Sequence, residues 1–400
     1  MPRLKLSPLF RKIFDFRGYK LGDIYEDEDG ITVVLDHTRA TVDCPICGRR
    51  RPSIEDTYTR RIRDLDLGPK QCFLVFDERK IRCRCGYRGV EHLDFVDKYS
   101  LYTKRFEAYV SILCEKMSLK DAALVAEIDW KAAKRIDKKY LNRLVTGLED
   151  LSPKRLGIDE IAYEKGHRYL TVVRDLTIGR VIWVGETRRK EALDAFFAEL
   201  GKEKCARIQV CVIDMWDPYI ASIHENTSAE IVYDLFHVAQ KITEAVDEVR
   251  KQEFAKADAV TRKKFKKKRF LILKRGKRLD EDARETLNTL MAENARLYQA
   301  YLLKEQGLDI FEEKDEETAL QRLDQWFQNV KEAGLAPFEA VVKTIKAYSH
   351  GIANYFKYRL SNAASEGFNT RINIIKRRAY GFHDLEYFKL KILQACGRLS

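Results

Sequence analysis

Asp159 and Asp214 are the residues of this sequence whose surroundings ask most plainly for chemistry. Leu156 and Ile158 precede Asp159 and Ile161 follows it, while Asp214 closes the apolar run IQVCVID at 208–214. A carboxylate in or at the end of a buried strand is poorly explained by packing, because taking its charge out of water is costly unless something compensates. Hard divalent cations shared by two carboxylates on neighbouring strands are such a compensation. Two Mg²⁺ ions about 3.5–4 Å apart activate an oxygen nucleophile and stabilise the leaving oxygen of an in-line attack on phosphorus, so phosphodiester hydrolysis and strand transfer need few protein groups beyond the ligands. Mn²⁺ is the expected substitute ion. A third carboxylate must come from elsewhere, and Glu366 is the best candidate.

Neighbouring residues read differently. Glu160 follows Asp159 and in a strand points to the opposite face, a non-catalytic placement. His237, in the run Asp234-Leu-Phe-His237, is an auxiliary candidate, since imidazole both donates and accepts near neutral pH; a buried structural histidine is the competing reading. Asp217 before Pro218 suits a helix cap better than a supporting role, and Trp216 and Trp326 suit core packing better than stacking on flipped bases. Asp175 and Glu186 lie at strand ends, where turn and cap roles are commoner.

Four of the nine cysteines form two close pairs, Cys44-Pro-Ile-Cys47-Gly48 and Cys83-Arg-Cys85-Gly86. Four thiolates close a tetrahedral structural Zn²⁺ site, and a site with no open position does no chemistry. The second pair has one intervening residue rather than two, so His92 and Cys72 are competing ligands. Ordinary reduced cysteines are the alternative. The role expected of the zinc is to stabilise a small domain whose arginines (Arg49, Arg50, Arg51, Arg60, Arg61 and Arg63) touch DNA phosphates.

The elements that must carry these groups follow from periodicity. Residues 1–97 read as short strands and turns, for example ITVVLDHT at 31–38 and CFLVFDERKIRC at 72–83. From Thr103 the pattern turns helical. Ser118 with Asp121 forms a capping-box pattern, Ala122, Ala123, Val125 and Ala126 permit close helix contact, and Asp129 can cap the helix that follows. That second helix carries Lys131, Lys134, Arg135 and Lys138, with Lys139 beside them, which suits insertion into a major groove; a solvated helical hairpin is the alternative. Strands resume at Leu156 with LGIDEIAYEK, RYLTVVRDL and GRVIWVGE, then a helix at 188–200, the strand at 208–216, and EIVYDLF at 230–236 leading into a helix. Three strands, helix, strand, helix, strand, helix is the order of an RNase H-like mixed sheet. Residues 251–345 are charged and helical, and the cationic tract TRKKFKKKRFLILKRGKR at 261–278 is expected to follow DNA backbone. The expected organisation is multidomain α/β: a zinc-binding β-rich domain (1–97), a helix-turn-helix (98–150), an RNase H-like catalytic domain in two parts (151–250 and 346–400), and an all-α insertion (251–345) between them.

Composition agrees with a polyanionic partner. The 400 residues are 45% hydrophobic and 11% aromatic, enough for more than one core, and the formal net charge is +12. Lys and Arg that neutralise phosphates release condensed counterions. No run approaches 18 apolar residues and the basic N-terminus lacks a secretory apolar core, so no membrane partner is expected and the cytoplasm is the default compartment. Paired cysteines there more often hold metal than form disulfides.

The C-terminal run SNAASEGFNTRINIIKRRAYGFHDLEYFKLKIL at 361–393 strongly resembles the signature of the ISL-three family of bacterial insertion-sequence transposases, built around S-N-x-x-x-E-G-x-N and K-R-x-A-Y-G-F. GIDEIAYEKGHRYLTVVRDL resembles that family's first-Asp strand, VIDMWDPYI with IVYDLFHVAQKITEAVDEVR its second-Asp segment, and CPICG with the helix-turn-helix its N-terminal layout. The resemblance implies a DDE triad of Asp159, Asp214 and Glu366, with the helical insertion at 251–345 accounting for the long gap (366 − 214 = 152) between the last two. It implies a transposase that binds terminal inverted repeats and target DNA, works at least as a homodimer on DNA, and associates with the prokaryotic nucleoid. One departure concerns the basic residue that relatives often carry seven positions after the Glu. Asn373 stands there, whereas Arg377, eleven positions on, returns to the same helical face to within about 20°. The cluster Lys376, Arg377 and Arg378 is the expected phosphate contact. Two further classes fit the same motifs: a DNA-binding protein without catalysis, and a structure-specific nuclease that cuts without joining.

Overall fold

The computed structural model describes residues 12–397 except 51, 146–147, 149–150, 165, 167, 266 and 362, together with the side chains of all described residues but 261, 264–265 and 363–366. The chain divides into two compact units, Met1–Val145 and Thr146–Ser400.

The first unit opens with strands β1 (Tyr19–Asp27), β2 (Gly30–His37), β3 (Ser53–Leu67), β4 (Lys70–Arg82) and β5 (Arg88–Val90). They form one sheet in the order β1-β2-β4-β3, with β5 on β4. Asp27 closes the first hairpin by accepting from the backbone N–H groups of Asp29 and Gly30, each at 3.0 Å. Alternate residues of β2 and β4 turn inward, so Val33, Leu35, Leu74 and Phe76 meet Tyr19, Ile62 and Phe95 in the core. Tyr19, Phe76 and Phe95 contact one another edge to face. The long strand β3, in a region read as short strands and turns, carries Arg60, Arg61 and Arg63 of the expected phosphate-binding arginines. Arg63 is buried and ion-paired with Asp66 at 2.6 Å, and Arg60 with Glu78 at 2.7 Å, so these two serve the sheet instead. Arg51 lies outside the described residues.

Helices α1 (Lys104–Lys116), α2 (Leu119–Val125) and α3 (Trp130–Leu144) follow, capped at their N-termini by Thr103, Ser118 and Asp129. Ala122, Ala123 and Ala126 pack against Phe106, Val110, Ala133 and Ile136 as small residues allow, whereas Val125 faces solvent. Buried Glu107 of α1 accepts from Lys139 of α3 at 2.6 Å and pairs with Arg143, so Lys139 belongs to this clamp. Lys131 and Arg135 are exposed, and Lys134 and Lys138 are half-buried.

In the second unit, β6 (Arg155–Glu164), β7 (Arg168–Asp175) and β8 (Arg180–Glu186) form an antiparallel meander, while β9 (Val210–Ile213) and β10 (Glu230–Tyr233) add in parallel. The order is β10-β9-β6-β7-β8. Helices α4 (Lys190–Leu200), α5 (Lys202–Cys205), α6 (Asp217–Asn226) and α7 (Leu235–Lys256) interleave with or follow the parallel strands. Then come α8 (Ala259–Phe265), α9 (Arg269–Leu273), α10 (Glu281–Ala292), α11 (Ala295–Ile310), α12 (Glu316–Ala333), α13 (Ala336–Ala347), α14 (Ser349–Tyr358), α15 (Ala363–Arg378) and α16 (Leu385–Cys396). One sheet face, with Leu156, Ile158, Val173 and Ile213, shares a continuous core with α4, α7 and the helices through α14. The other, with Ile161, Leu170 and Val172, packs on Ile372 and Ile375 of α15 and Phe388 and Ile392 of α16. Helices on both faces of a mixed sheet are the RNase H-like arrangement anticipated from element order. Trp326 is buried and donates to the Leu303 carbonyl at 2.8 Å, a core role. Positions 250–251 lie inside α7 and 345–346 inside α13. Among the described residues no helix is long and apolar enough to cross a membrane.

Candidate active site and metal centre

Parallel pairing of β6 with β9 sets Gly157 beside Val212. Two residues further on, Asp159 and Asp214 border one cavity, Asp159 midway along β6 and Asp214 just past the carboxyl end of β9, the edge at which open α/β sheets bind ligands. Asp214 is the first residue past β9, a strand of four residues. Beyond Gly157 β6 has no partner on this side, so residues on both of its faces border the opening. Glu160, expected to point away, therefore lines the same cavity of about 280 Å³ with Asp159, Asp214, Trp216 and His237. It is held there by Arg188 at 3.0 Å.

Each carboxylate has a fixed partner. Asp159 accepts from the Glu160 backbone N–H at 2.7 Å and from the Asn369 side-chain amide at 3.1 Å. Asp214 Oδ2 lies 2.7 Å from His237 Nε2. His237 is partly exposed in the first turn of α7, a helix capped by Asp234, so it is not a buried structural histidine. Burial, followed by the charges of Asp159, Asp234 and Glu160, pushes the Asp214 carboxyl up to about 8. Asp234 is also raised, chiefly by burial. Beneath them, burial lowers the Arg174 guanidinium while Asp159 and Asp234 favour its charge. Four carboxylates crowd this end of the sheet, and a divalent cation is the counter-charge that would let all of them ionise.

Helix α15 brings in the C-terminal motif. Asn369 docks it on Asp159, which places the backbone of Glu366 one turn upstream; the Glu366 side chain lies outside the described residues. Lys376 donates to the Ala162 carbonyl at 2.9 Å, and Arg377 is exposed. Asn369, Asp234, Arg174 and Arg188 went unassigned or unnoticed in the sequence. Only Asn369 left a signal, three positions after Glu366 and therefore on the same helical face. Asp217, expected to cap, instead sits inside the first turn of α6 and accepts from the Tyr348 hydroxyl at 3.0 Å. Trp216 packs partly on the core and donates to the Arg188 carbonyl at 3.0 Å. In the cationic tract, Arg269 pairs with Asp247, and Arg275 and Lys277 with acidic residues of α11 and the turn after it.

In the first unit Cys44, Cys47, Cys83 and Cys85 converge, with all four sulfurs within 4.8 Å of one another. The Cys44–Cys85 and Cys47–Cys83 separations are 3.7 and 3.6 Å. A tetrahedron of Zn–S bonds of about 2.3 Å has edges of about 3.8 Å, so the pocket has the dimensions of a four-thiolate zinc site. Gly48 at φ 65° and Gly86 at φ 94° turn the chain tightly after each pair. The backbone N–H groups of Cys47 and then Ile46 draw Cys44 down to about 6. Tyr87's N–H favours the Cys85 thiolate, but burial and the other three sulfurs outweigh it and push Cys85 up to about 11. A dication removes that competition. The rival ligands are elsewhere: His92 pairs with Asp94, and Cys72 is wholly buried in the sheet core.

Three family profiles match the chain in sequence order. The zinc-finger of transposases IS204/IS1001/IS1096/IS1165 matches residues 40–85 and the helix-turn-helix domain of transposase family ISL3 matches 91–141. The ISL3-type DDE profile, described as a transposase, matches 156–392. The transposase for insertion sequence element IS1001 of Bordetella parapertussis is 32% identical over 395 residues, 97% of each chain. The transposase for insertion sequence element IS1557 of Mycobacterium tuberculosis (strain CDC 1551 / Oshkosh) is 28% identical over 377 residues, 85% of this chain and 82% of that one.

Proposed function

The chain belongs to the ISL3 family of DDE transposases, and from that premise we propose that it binds the terminal inverted repeats of an insertion sequence, cleaves the strand ends and transfers them to target DNA, with Asp159, Asp214 and Glu366 holding two Mg²⁺ ions. The observation that carries this reading is the pair of carboxylates on adjacent parallel strands that line one cavity, one of them held high by burial and by three acidic neighbours. Such a site favours cations. Divalent ions there would supply Lewis-acid stabilisation of charge on phosphorus-bound oxygens. The protein's own part is positional. Asn369 and the Glu160 N–H orient Asp159, and His237 orients Asp214. Lys131, Lys134, Arg135 and Lys138 of α3 read the major groove, and Lys376, Arg377 and Arg378 steady phosphates near the cut. Synapsis of two ends makes the working form at least a homodimer.

The test is a labelled duplex carrying one end of the encoding element, incubated with the protein in Mg²⁺ or in EDTA. Metal-dependent 3′-end cleavage and joining are expected. Cleavage without joining would favour a structure-specific nuclease, and specific binding without cleavage would leave a DNA-binding protein.

Asn369 yields a separate expectation. Groups that orient ligands typically influence metal affinity 10–100-fold, so Asn369→Ala should raise the Mn²⁺ concentration for half-saturation, measured calorimetrically, by about tenfold. Loss of one partly exposed hydrogen bond costs only about 1 kcal/mol of stability, so melting should change little. Unaltered Mn²⁺ binding would show that the amide does not position Asp159.

A further inference from the structure

A second cleft, of about 810 Å³, opens beside the carboxylate cavity and shares Trp216 with it. Its wall carries Tyr163, Tyr169 and Trp216 together with Arg168, Arg188 and Arg189. The Arg188 guanidinium carbon lies 4.3 Å from the centroid of the Tyr169 ring and 4.7 Å from that of Trp216. Three bonds hold this planar cation against the rings. Its side chain pairs with Glu160 at 3.0 Å, its carbonyl accepts the Trp216 indole N–H at 3.0 Å, and the carbonyl of Thr187 before it accepts the Thr171 hydroxyl at 2.7 Å. Thr187 itself sits at φ 66°, a conformation that costs a β-branched residue energy. Both rings remain partly exposed. The loop thus presents a ready-made stacking surface anchored on Glu160, the residue after Asp159.

We propose that this cleft is the subsite for an unpaired nucleotide of the DNA strand flanking the scissile phosphate, with its base stacked on the Tyr169–Arg188–Trp216 wall and its phosphate toward Arg168 and Arg189. This rests on the reading that DNA crosses Asp159 and Asp214. In a duplex both faces of each base are covered by neighbours, so recessed rings can be reached only by a base taken out of the stack. Aromatic and guanidinium surfaces hold such a base whatever its identity. The subsite therefore takes an extrahelical base without strong sequence preference, and it fixes the backbone next to the cut.

The test uses the full chain in Ca²⁺ with a duplex carrying one end of the encoding element, so that cleavage is not required. 5-Iododeoxyuridine is placed at successive positions around the end, irradiated, and the cross-links are mapped by mass spectrometry. A cross-link to Tyr169 or Trp216 from one flanking position is expected. Stacking on an aromatic ring contributes about 1–3 kcal/mol per base, so Tyr169→Ala should weaken binding about tenfold and Tyr169→Phe should restore it. With an abasic site at the cross-linking position, Tyr169→Ala should have no effect. Comparable melting temperatures for the two variants separate stacking from misfolding. Specific binding with no cross-link to either ring, or an equal loss with and without the base, would overturn the subsite and leave the proposed function standing. No specific binding by the wild-type protein would remove both.

Discussion

Asparagine at position 214 is expected to leave the protein folded and bound to DNA while lowering metal-dependent cleavage by about a thousandfold or more. Asn keeps the shape of Asp and the contact that His237 makes at 2.7 Å, but it cannot supply the negative charge a divalent cation needs. Lewis-acid stabilisation amounts to several kcal/mol, and each 1.36 kcal/mol is a factor of ten in rate; loss of about 4 kcal/mol corresponds to the expected drop. The same substitution should raise the melting temperature in EDTA. Burial and the neighbouring charges of Asp159, Asp234 and Glu160 disfavour ionised Asp214 in the folded chain, so near neutral pH folding without metal must take up a proton there, a cost that Asn avoids. Mg²⁺ should then stabilise the wild type and not the variant, since a ligand raises stability only through the state that binds it. Single-turnover cleavage and thermal melting with and without Mg²⁺ measure both. Full cleavage by Asp214→Asn would exclude this carboxylate from the reaction.

The largest structural effect is expected at the four cysteines. The purified protein should carry one zinc per chain, and Cys47→Ser should reduce it to less than about a tenth. Apparent binding free energies of structural zinc reach about 10–16 kcal/mol in small domains, as large as the whole stability of a typical domain. The consequence should nonetheless be local. The sulfurs join the turns following Cys44 and Cys83, whereas the sheet has its own core of Tyr19, Val33, Leu74, Phe76 and Phe95. Hydrogen exchange should therefore speed up at 43–50 and 83–90 in the variant or after strong chelation, with β2 and β4 staying protected. Exchange spreading through β2 and β4 would mean that the sheet depends on the metal after all.

Much of this architecture was legible because it is local. The alternating apolar residues of β6 to β8, the caps at Thr103, Ser118 and Asp129, and the two Cys pairs are each set by near neighbours in the chain. β3 was not singled out within the short strands read at 1–97, because its run of arginines and acids lacks an apolar alternation. Its charges are satisfied by pairing with residues such as Glu78 and Asp29, which no local pattern shows. Asp217 was misread because Pro after Asp suggests a cap, while Tyr348, far along the chain, supplies the partner it has. Glu160 does lie on the face opposite Asp159, as strand alternation requires, but where β6 loses its β9 neighbour both faces open on one cavity, so facing away from Asp159 does not take it out of the site.

What the sequence determined by itself was the kind of chemistry: two acidic residues on apolar strands, a third in a distinctive C-terminal motif, four thiols in pairs and a basic helix. Those are properties of residue type and short spacing, and they survive without coordinates. Only the tertiary structure decided how the groups meet. The parallel register of Gly157 with Val212 sets Asp159 beside Asp214, and Asn369 brings α15 to the same edge from 210 positions away. The end of β9 after Ile213 opens both faces of β6 to the cavity, and the loop at Thr187 lays Arg188 across two rings. Each of these depends on the packing of segments far apart in the chain, whose register is selected by burying both faces of one sheet rather than by any stretch of residues alone.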